Sequence, residues 1–570
     1  MLEGFDALVQ AAMDDWKIPG LALAILHDGE PMLVKGYGVR DMAEPAPVTA
    51  STQFLLCSLT KSLTAAGLGL LVDARELDWS TPVRDVVPGF RLQDPVATAS
   101  LTVRDLLSHQ SGLPRHDWIH SPGDLDIRQM LDRLPHLAPS RGFREVWQYQ
   151  NLGYVIAGHV AERITGQRWE DFTAERLLRP LGFSRFSFST QALAAEPDHA
   201  HPHVMDRGEC LRAAWAPIRA TAAGGLNASV EDFARWMRCL LDEGKADGQP
   251  LLSPPIVRDM TAPRVHVCRA EYDEVGDIHY GLGLTVEHYR GERTVSHSGS
   301  WLGWAGLMTL LPARRIGIAV LTNRAPSAVT ALLTYAALDR LCGHAPIDWF
   351  GRLRTRRQEM LAQMRTDKAA QLAQRRPDTT PSHALHEYAG IYAHPAYGEI
   401  IIESDGAGLA WQWRGMTGKL THRHYDVFTT AEKLTEIHPD NLALTFLYDR
   451  DGHIDRIAAP FEPLVEDIVF RRTAGGAAAV AADAGTHARW IGEYRHAGTR
   501  IDIGADAAGG LVLDMTGQPT RRLLALHDTV FQVEGLPQFR VACRVSEDGE
   551  AATLVFHQPN GTFVATRVVQ

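Results

Sequence analysis

Ser58 and Lys61 lie three positions apart inside an otherwise apolar run, Phe54-Leu55-Leu56-Cys57-Ser58-Leu59-Thr60-Lys61-Ser62-Leu63, and a hydroxyl and an amine at that spacing can do nucleophilic chemistry. Residues i and i+3 share a helix face. Leu59, Leu63, Ala66 and Leu70 recur at helical spacing and predict a buried helix, with Lys61 one turn from Ser58. Burial disfavours the charged form of a lysine and lowers its pKa, which makes the amine a base able to activate a nearby hydroxyl. Ser58 would open that helix, where the positive end of the helix dipole favours negative charge developing on its oxygen. The same residues also fit a purely structural role, a serine N-cap followed by a lysine that snorkels to water.

Two further constellations carry reactive side chains. Tyr149-Gln150-Asn151 stands just before the run Leu152 to Gly166, a helix that Asn151 could cap and Gly166 could end. Val295-Ser296-His297-Ser298-Gly299-Ser300 lies in a strand-like stretch where glycine would let a substrate backbone approach closely. Each has a structural alternative, ordinary capping beside a buried tyrosine for the first and a satisfied strand histidine for the second. His109, His116, His422 and His424 read as polar structural residues. The loop Pro114 to Trp118 fits a pocket border and a surface loop equally.

The elements that must position these residues follow from periodicity. Residues 1 to about 20 read as an amphipathic helix, followed by a hairpin of Leu21–Leu26 and Pro31–Gly38 around the turn His27-Asp28-Gly29-Glu30. After the Ser58 helix comes a short helix within Leu101–Pro114, stopped by Gly112 and Pro114. Helical patterns dominate to about Leu241, and one starts at Ser229 with Asp232 at capping-box spacing. Strand patterns return at Tyr280–Val286, Gly306–Leu311 and Ile316–Thr322. Strands at both ends of a helical middle predict an α/β unit whose antiparallel sheet is closed by the two chain ends, over residues 1–345.

Residues 346–380 read as a basic helical linker with a narrow apolar stripe at Leu353, Met360, Leu361, Met364 and Leu372, ended by Pro377. Beyond Pro381 the texture is β-rich and repeats itself. Tyr388–Tyr392 matches Trp490–Tyr494, Ile400 and Ile402 match Ile501 and Ile503, Leu409 matches Leu511 and Phe428 matches Phe531. Two all-β domains follow, 381–473 and 487–570, joined by an Ala/Gly-rich linker at 474–486. Short alternating strands suit up-and-down barrels or sandwiches.

Composition narrows the partners. The chain has 570 residues, too many for one core at a prior of ~150 residues per domain, with 45% hydrophobic and 22% charged residues. A net charge of -11 argues against nucleic acid or an anionic membrane as main partner. No run approaches the ~20 apolar residues of a membrane span. The start, Met1-Leu2-Glu3-Gly4-Phe5-Asp6, has neither a basic nor an apolar leader region, which leads us to expect a cytoplasmic protein, or a periplasmic or secreted one if a leader has been removed. Six scattered cysteines form no C-x-x-C pair, and Cys57 reads as a packing residue.

Taken in order, Ser58-x-x-Lys61, Tyr149-x-Asn151 and His297-x-Gly299, with Leu106–Pro114 and Ala223-Gly224-Gly225-Leu226 between them, resemble the serine β-lactamase-like hydrolases, the peptidase S12 type. That family includes class C β-lactamases, D,D-peptidases, D-aminopeptidases and related esterases. The resemblance covers about residues 1–345. The duplicated tail resembles the barrel or lipocalin-like domains appended to D-aminopeptidases and to some archaeal members that cleave peptides containing D-residues.

The resemblance implies a β-lactamase/penicillin-binding-protein-like α/β catalytic domain followed by two β-barrel domains. It implies that Ser58 attacks a carbonyl, with Lys61 and Tyr149 as the base system and His297 as a further catalytic position. Asn151 would hold substrate amide or the lysine. The backbone amides of Ser58 and Ser300 would form the oxyanion hole, with Gly299 beside them. No cofactor is expected and no metal is needed, and the histidines show neither H-E-x-x-H nor a comparable cluster. Where β-lactamases carry Lys-Thr-Gly, this chain has His297-Ser298-Gly299, so a permanent cation becomes one mostly absent above pH ~6.5. That shifts the expectation toward amino-terminal amides, uncharged peptides or esters. A small molecule or short peptide is the expected partner, and a homo-oligomer stays open. Rival readings are a β-lactamase, a D,D-carboxypeptidase or an acyltransferase on the same residues and, in another class, a ligand-binding or sensor protein with a non-catalytic scaffold.

Overall fold

The computed structural model describes all residues except 122, 220, 432–440, 476–487, 507–509, 528–529, 535, 546–551, 559–560 and 569–570. The contacts divide the chain into two units. The first comprises Met1–Leu372 with Glu462–Glu466, and the second holds most of the remainder.

The first unit is built on an eight-stranded antiparallel sheet. Its strands lie in the order Val265–Arg269, Asp277–Tyr280, Thr285–Tyr289, Glu292–Trp301, Trp304–Leu311, Ile316–Thr322, Gly20–His27 and Glu30–Gly38. The two chain ends do close it: Leu21 pairs with Thr322 and Leu26 with Gly317. Both faces of Gly20–His27 are covered, which its run of Leu, Ala and Ile already implies. Phe5–Trp16 and Val329–Cys342 pack on one face through a shared core that includes Val9, Trp16, Ile25, Ile318, Val320 and Leu333. Val230–Leu241 buries Phe233, Trp236, Met237 and Leu240 against the sheet. Its start is capped as the spacing predicts, with Ser229 Oγ accepting from the Asp232 N–H at 3.1 Å.

Three elements differ from expectation. The helix within Leu101–Pro114 is only Val103–Leu107, because His109 takes a left-handed φ of 60° and ends it early. The Tyr280–Val286 run is two strands separated by a turn at Gly283 (φ 73°), where a Cβ would stand 2.6 Å from the Lys61 carbonyl oxygen. Only glycine allows that approach to the Ser58 helix. The helix Trp349–Ala373 buries Trp349 and Leu353 alone, and Met360, Leu361, Met364 and Leu372 are exposed. Beyond Leu353 the apolar positions of this helix are exposed among the described residues.

The second unit contains two closed eight-stranded barrels, Gly390–Gly475 and Gly492–Arg567, which decides between barrel and sandwich. The repeat recurs in detail. Tyr392 OH donates to the Tyr388 carbonyl at 2.8 Å, and Tyr494 OH donates to the Trp490 carbonyl at 2.9 Å. The sequence-predicted linker at 474–486 lies outside the described residues apart from Ala474 and Gly475, which end the last strand of the first barrel.

Candidate active site

The strand Gln53–Leu55 delivers the chain into a 3-10 turn, Cys57–Leu59, which runs without a break into the helix Thr60–Asp73. Cys57 takes a left-handed φ of 50° immediately before Ser58. Its buried thiol is pushed far up in pKa by desolvation and stays protonated, so Cys57 packs, as its sequence context suggests. Because the turn continues into helix, Ser58 does not cap it. The hydroxyl instead points at two other side chains: Lys61 Nζ donates to Ser58 Oγ at 3.0 Å and Tyr149 OH at 2.8 Å.

Lys61 is fully buried and also donates to the Ala223 carbonyl at 2.6 Å and to Asn151 Oδ1 at 2.8 Å. Desolvation lowers its pKa to about 7, Asp117 opposes that shift and Arg115 adds to it. The lysine is therefore split between amine and ammonium near neutral pH. Burial raises Tyr149 to about 12, so it is a phenol over the ordinary pH range. Asn151 stands at the start of Leu152–Thr165 in a helical conformation and makes no cap. Its amide is committed to Lys61 and, through Nδ2, to Asp117 Oδ1 at 3.0 Å. Gly166, at φ 72°, does end that helix.

Gly299 lies on the strand Glu292–Trp301 against Ser58. A Cβ there would stand 2.6 Å from the Leu56 carbonyl oxygen and 2.9 Å from the Ser58 nitrogen. Ser300 follows at the exposed rim and lines the same cavity as Ser58. His297 is buried and turned away. Its Nδ1–H donates to the Ser298 carbonyl at 2.6 Å, so Nε2 accepts from Tyr280 OH at 2.8 Å. Neither nitrogen bonds Ser58, Lys61 or Tyr149. Desolvation, with the Lys61 charge second, holds its pKa down to about 3, and the ring is neutral. His109 is a buried structural residue whose ring centroid lies 4.5 Å from that of Tyr149 and 4.8 Å from that of Tyr280.

The loop after Pro114 borders the pocket. Arg115 lies 5.2 Å over the Tyr149 ring and bonds Asp117 Oδ2 at 2.5 Å, so Asp117 joins the one cation on this loop to Asn151. Sequence reading did not assign either residue a part; the signal was an Arg-x-Asp pair directly after a Gly-Leu-Pro turn. Within the same unit the His116 N–H donates to Glu462 Oε2 at 2.7 Å, a pairing 346 residues apart that spacing does not reveal. Beside Ser58 opens a cavity of about 280 Å³ with Leu125, Met130, Val155, Trp169 and Ile218 among its walls. A hydroxyl bonded to a half-neutral amine and to a phenol, at the mouth of an apolar cavity, can attack an acyl carbon.

Known proteins share this arrangement of chain. Residues 374–472 match a domain of unknown function (DUF3471). The unguisins hydrolase ungD of Aspergillus violaceofuscus is 27% identical over 471 residues, covering 76% of this chain and 81% of that one. A D-aminopeptidase of Gluconobacter oxydans is 26% identical over 346 residues, 58% of this chain and 61% of that one. In fold, the octameric penicillin-binding protein homologue from Pyrococcus abyssi superposes with a TM-score of 0.54 at 22% identity, over 82% of this chain and 100% of that one. Residues 5–341 match the Beta-lactamase family model, more than half the chain, and by that match this protein belongs to the beta-lactamase family of hydrolases.

Proposed function

We propose that this protein is a serine hydrolase that cleaves small amides, peptides or esters through an acyl-enzyme on Ser58, with a D-aminopeptidase-like or peptidase-like substrate range. The observation that carries the reading is the pair of hydrogen bonds converging on Ser58 Oγ from Lys61 and Tyr149. Neutral Lys61 takes the hydroxyl proton as Oγ bonds to the carbonyl carbon. The carbonyl oxygen gains the displaced electron pair and is held by the main-chain N–H groups of Ser58 and Ser300, donors of a kind whose individual loss costs ~10² to 10³ in rate. As the C–N or C–O bond breaks, Tyr149 protonates the leaving group and is restored by the proton on Lys61. Water then attacks the Ser58 ester by the same steps in reverse.

Two features of the site support this substrate class. His297, neutral and bonded to Tyr280, supplies no cation for a substrate carboxylate at the position where β-lactamases carry lysine. The largely apolar cavity, whose walls also carry His159, Glu162, Glu170 and Arg219, supports a substrate with an apolar group beside the scissile bond. Relatives named as a hydrolase and a D-aminopeptidase support hydrolysis of an amide or peptide.

Mass spectrometry after treatment with a fluorophosphonate or a penicillin tests the reading. One adduct on Ser58, absent in Ser58→Ala, is the expected result; no adduct with any acylating probe overturns it in favour of a ligand-binding scaffold. Comparing p-nitroanilides of D- and L-amino acids with p-nitrophenyl esters and nitrocefin then separates peptidase, esterase and β-lactamase action.

A further inference from the structure

Asp41, His201 and His203 meet away from the Ser58 cluster, all three buried, with one donor atom of each lying within 4.8 Å of the others. His201-Pro202-His203 is a short His-x-His sequence, but Asp41 is 160 residues away and joins it only in the fold. Both imidazoles are fixed from behind. His201 Nδ1–H donates to the Pro202 carbonyl at 3.0 Å and His203 Nδ1–H to the Asn323 carbonyl at 3.1 Å. Those bonds leave the proton on Nδ1 in each ring and the lone pair on Nε2, which is the arrangement that second-shell carbonyls impose on metal-binding histidines.

The carboxylate is arranged to match. Asp41 Oδ1 is 3.8 Å from His203 Nε2, while Oδ2 is held by Arg212 Nη2 at 2.8 Å. Oδ1 also accepts from the Ala43 N–H at 2.9 Å, and His203 Nε2 accepts from the Met42 N–H at a long 3.3 Å. Both bonds draw on atoms the ion would use: Asp41 Oδ1 keeps a second lone pair, and the long Met42 bond is the one the ion must displace. Donors around a tetrahedral ion at ~2.0–2.2 Å stand roughly 3.4 Å apart, so the three atoms need a modest contraction.

We propose that Asp41, His201 and His203 form a binding site for a borderline divalent transition ion, Zn²⁺ by donor type, with water in the remaining position. The ion would brace the chain that carries the nucleophile. The Ala200 N–H donates to the Gln53 carbonyl at 2.9 Å, the His201 N–H to the Arg40 carbonyl at 2.8 Å and the His203 N–H to the Asn323 carbonyl at 2.9 Å. His201 thus directly follows Ala200, whose bond to Gln53 ties this segment to the start of the strand Gln53–Leu55, which leads into Ser58. The site takes no part in the acyl chemistry and does not depend on it.

Full-length protein dialysed against EDTA and titrated with Zn²⁺ in a calorimeter should bind one equivalent and unfold at a higher temperature once loaded. His201→Gln and Asp41→Asn should each weaken binding by about tenfold or more and remove the rise. Zn K-edge X-ray absorption of the 1:1 wild-type protein, which needs no variant, should show a nitrogen and oxygen shell with two imidazoles and no sulfur. Substoichiometric binding, or a shell with fewer than two imidazoles, overturns the site. So does full affinity in both variants, as an ion held elsewhere, for instance by the paired His266 and His279 rings, would give.

Discussion

Asn151 accepts a hydrogen bond from Lys61 at 2.8 Å and turns the other end of its amide to Asp117 at 3.0 Å. Through that amide the Asp117 carboxylate faces the buried amine, and its charge holds the Lys61 pKa up against desolvation. Asp117→Asn keeps an acceptor for Asn151 and removes the charge. The acidic limb of the kcat/KM profile should therefore move to lower pH, with the fold unchanged by circular dichroism. A limb that stays in place, or moves up, would show that Asp117 does not act on Lys61.

Lys61 at about 7 and Tyr149 at about 12 predict how rate depends on pH. With an anilide or ester substrate, kcat/KM should rise through about pH 7 as Lys61 loses its proton, then hold level to the alkaline range. Tyr149→Phe removes the proton donor and should cost ~10² to 10⁴ in kcat without unfolding the protein. Unchanged turnover in Tyr149→Phe would remove that residue from the mechanism.

The same lysine should leave a mark on stability. Its folded pKa is lowered to about 7 from an unfolded value of 10.5, so between those pH values the unfolded chain binds the proton more tightly. Stability then rises with pH across that window, by at most ~1.4 kcal/mol per pH unit from this group, and the contribution is flat below 7 and above 10.5. Urea unfolding of wild type and Lys61→Met from pH 6 to 10 should show the difference between them shifting toward wild type as pH rises. Parallel curves would mean the lysine is not desolvated in solution.

Gly299→Ala tests the contact between strand and nucleophile. A methyl group 2.6 Å from the Leu56 carbonyl must push the strand off Ser58. We expect ~1–3 kcal/mol of destabilisation and roughly 10² in kcat, since a 1 Å displacement of the reacting groups is enough for that loss. A fully active Gly299→Ala would mean the two segments part without consequence.

The cluster of candidate residues was legible because they lie close in sequence or sit in fixed spacings. Ser58 and Lys61 are one helical turn apart, and Tyr149-x-Asn151 places both side chains against them. His297 was misleading for a definite reason: a strand position says which face a ring leaves from, but Tyr280 and the Ser298 carbonyl decide where its nitrogens point. Arg115 and Asp117 were hidden in a loop, where no periodicity marks an inward side chain. Alternation predicted the C-terminal strands well, yet could not separate barrel from sandwich. Closure depends on pairing Gly390–His394 with Ile468–Gly475, about 80 residues apart. The apolar positions of Trp349–Ala373 had helical spacing, yet those after Leu353 are exposed among the described residues, which periodicity alone does not reveal.

The central pairing of Gly20–His27 with Ile316–Thr322 has a consequence for how the polypeptide is made. The first hairpin leaves the ribosome about 300 residues before its partner, a wait of roughly 15 to 60 s at ordinary elongation rates. During that interval a strand destined for burial on both faces is an open, apolar edge. On the nascent chain Leu21–Leu26 therefore waits without its second partner strand until Thr322 has been synthesised.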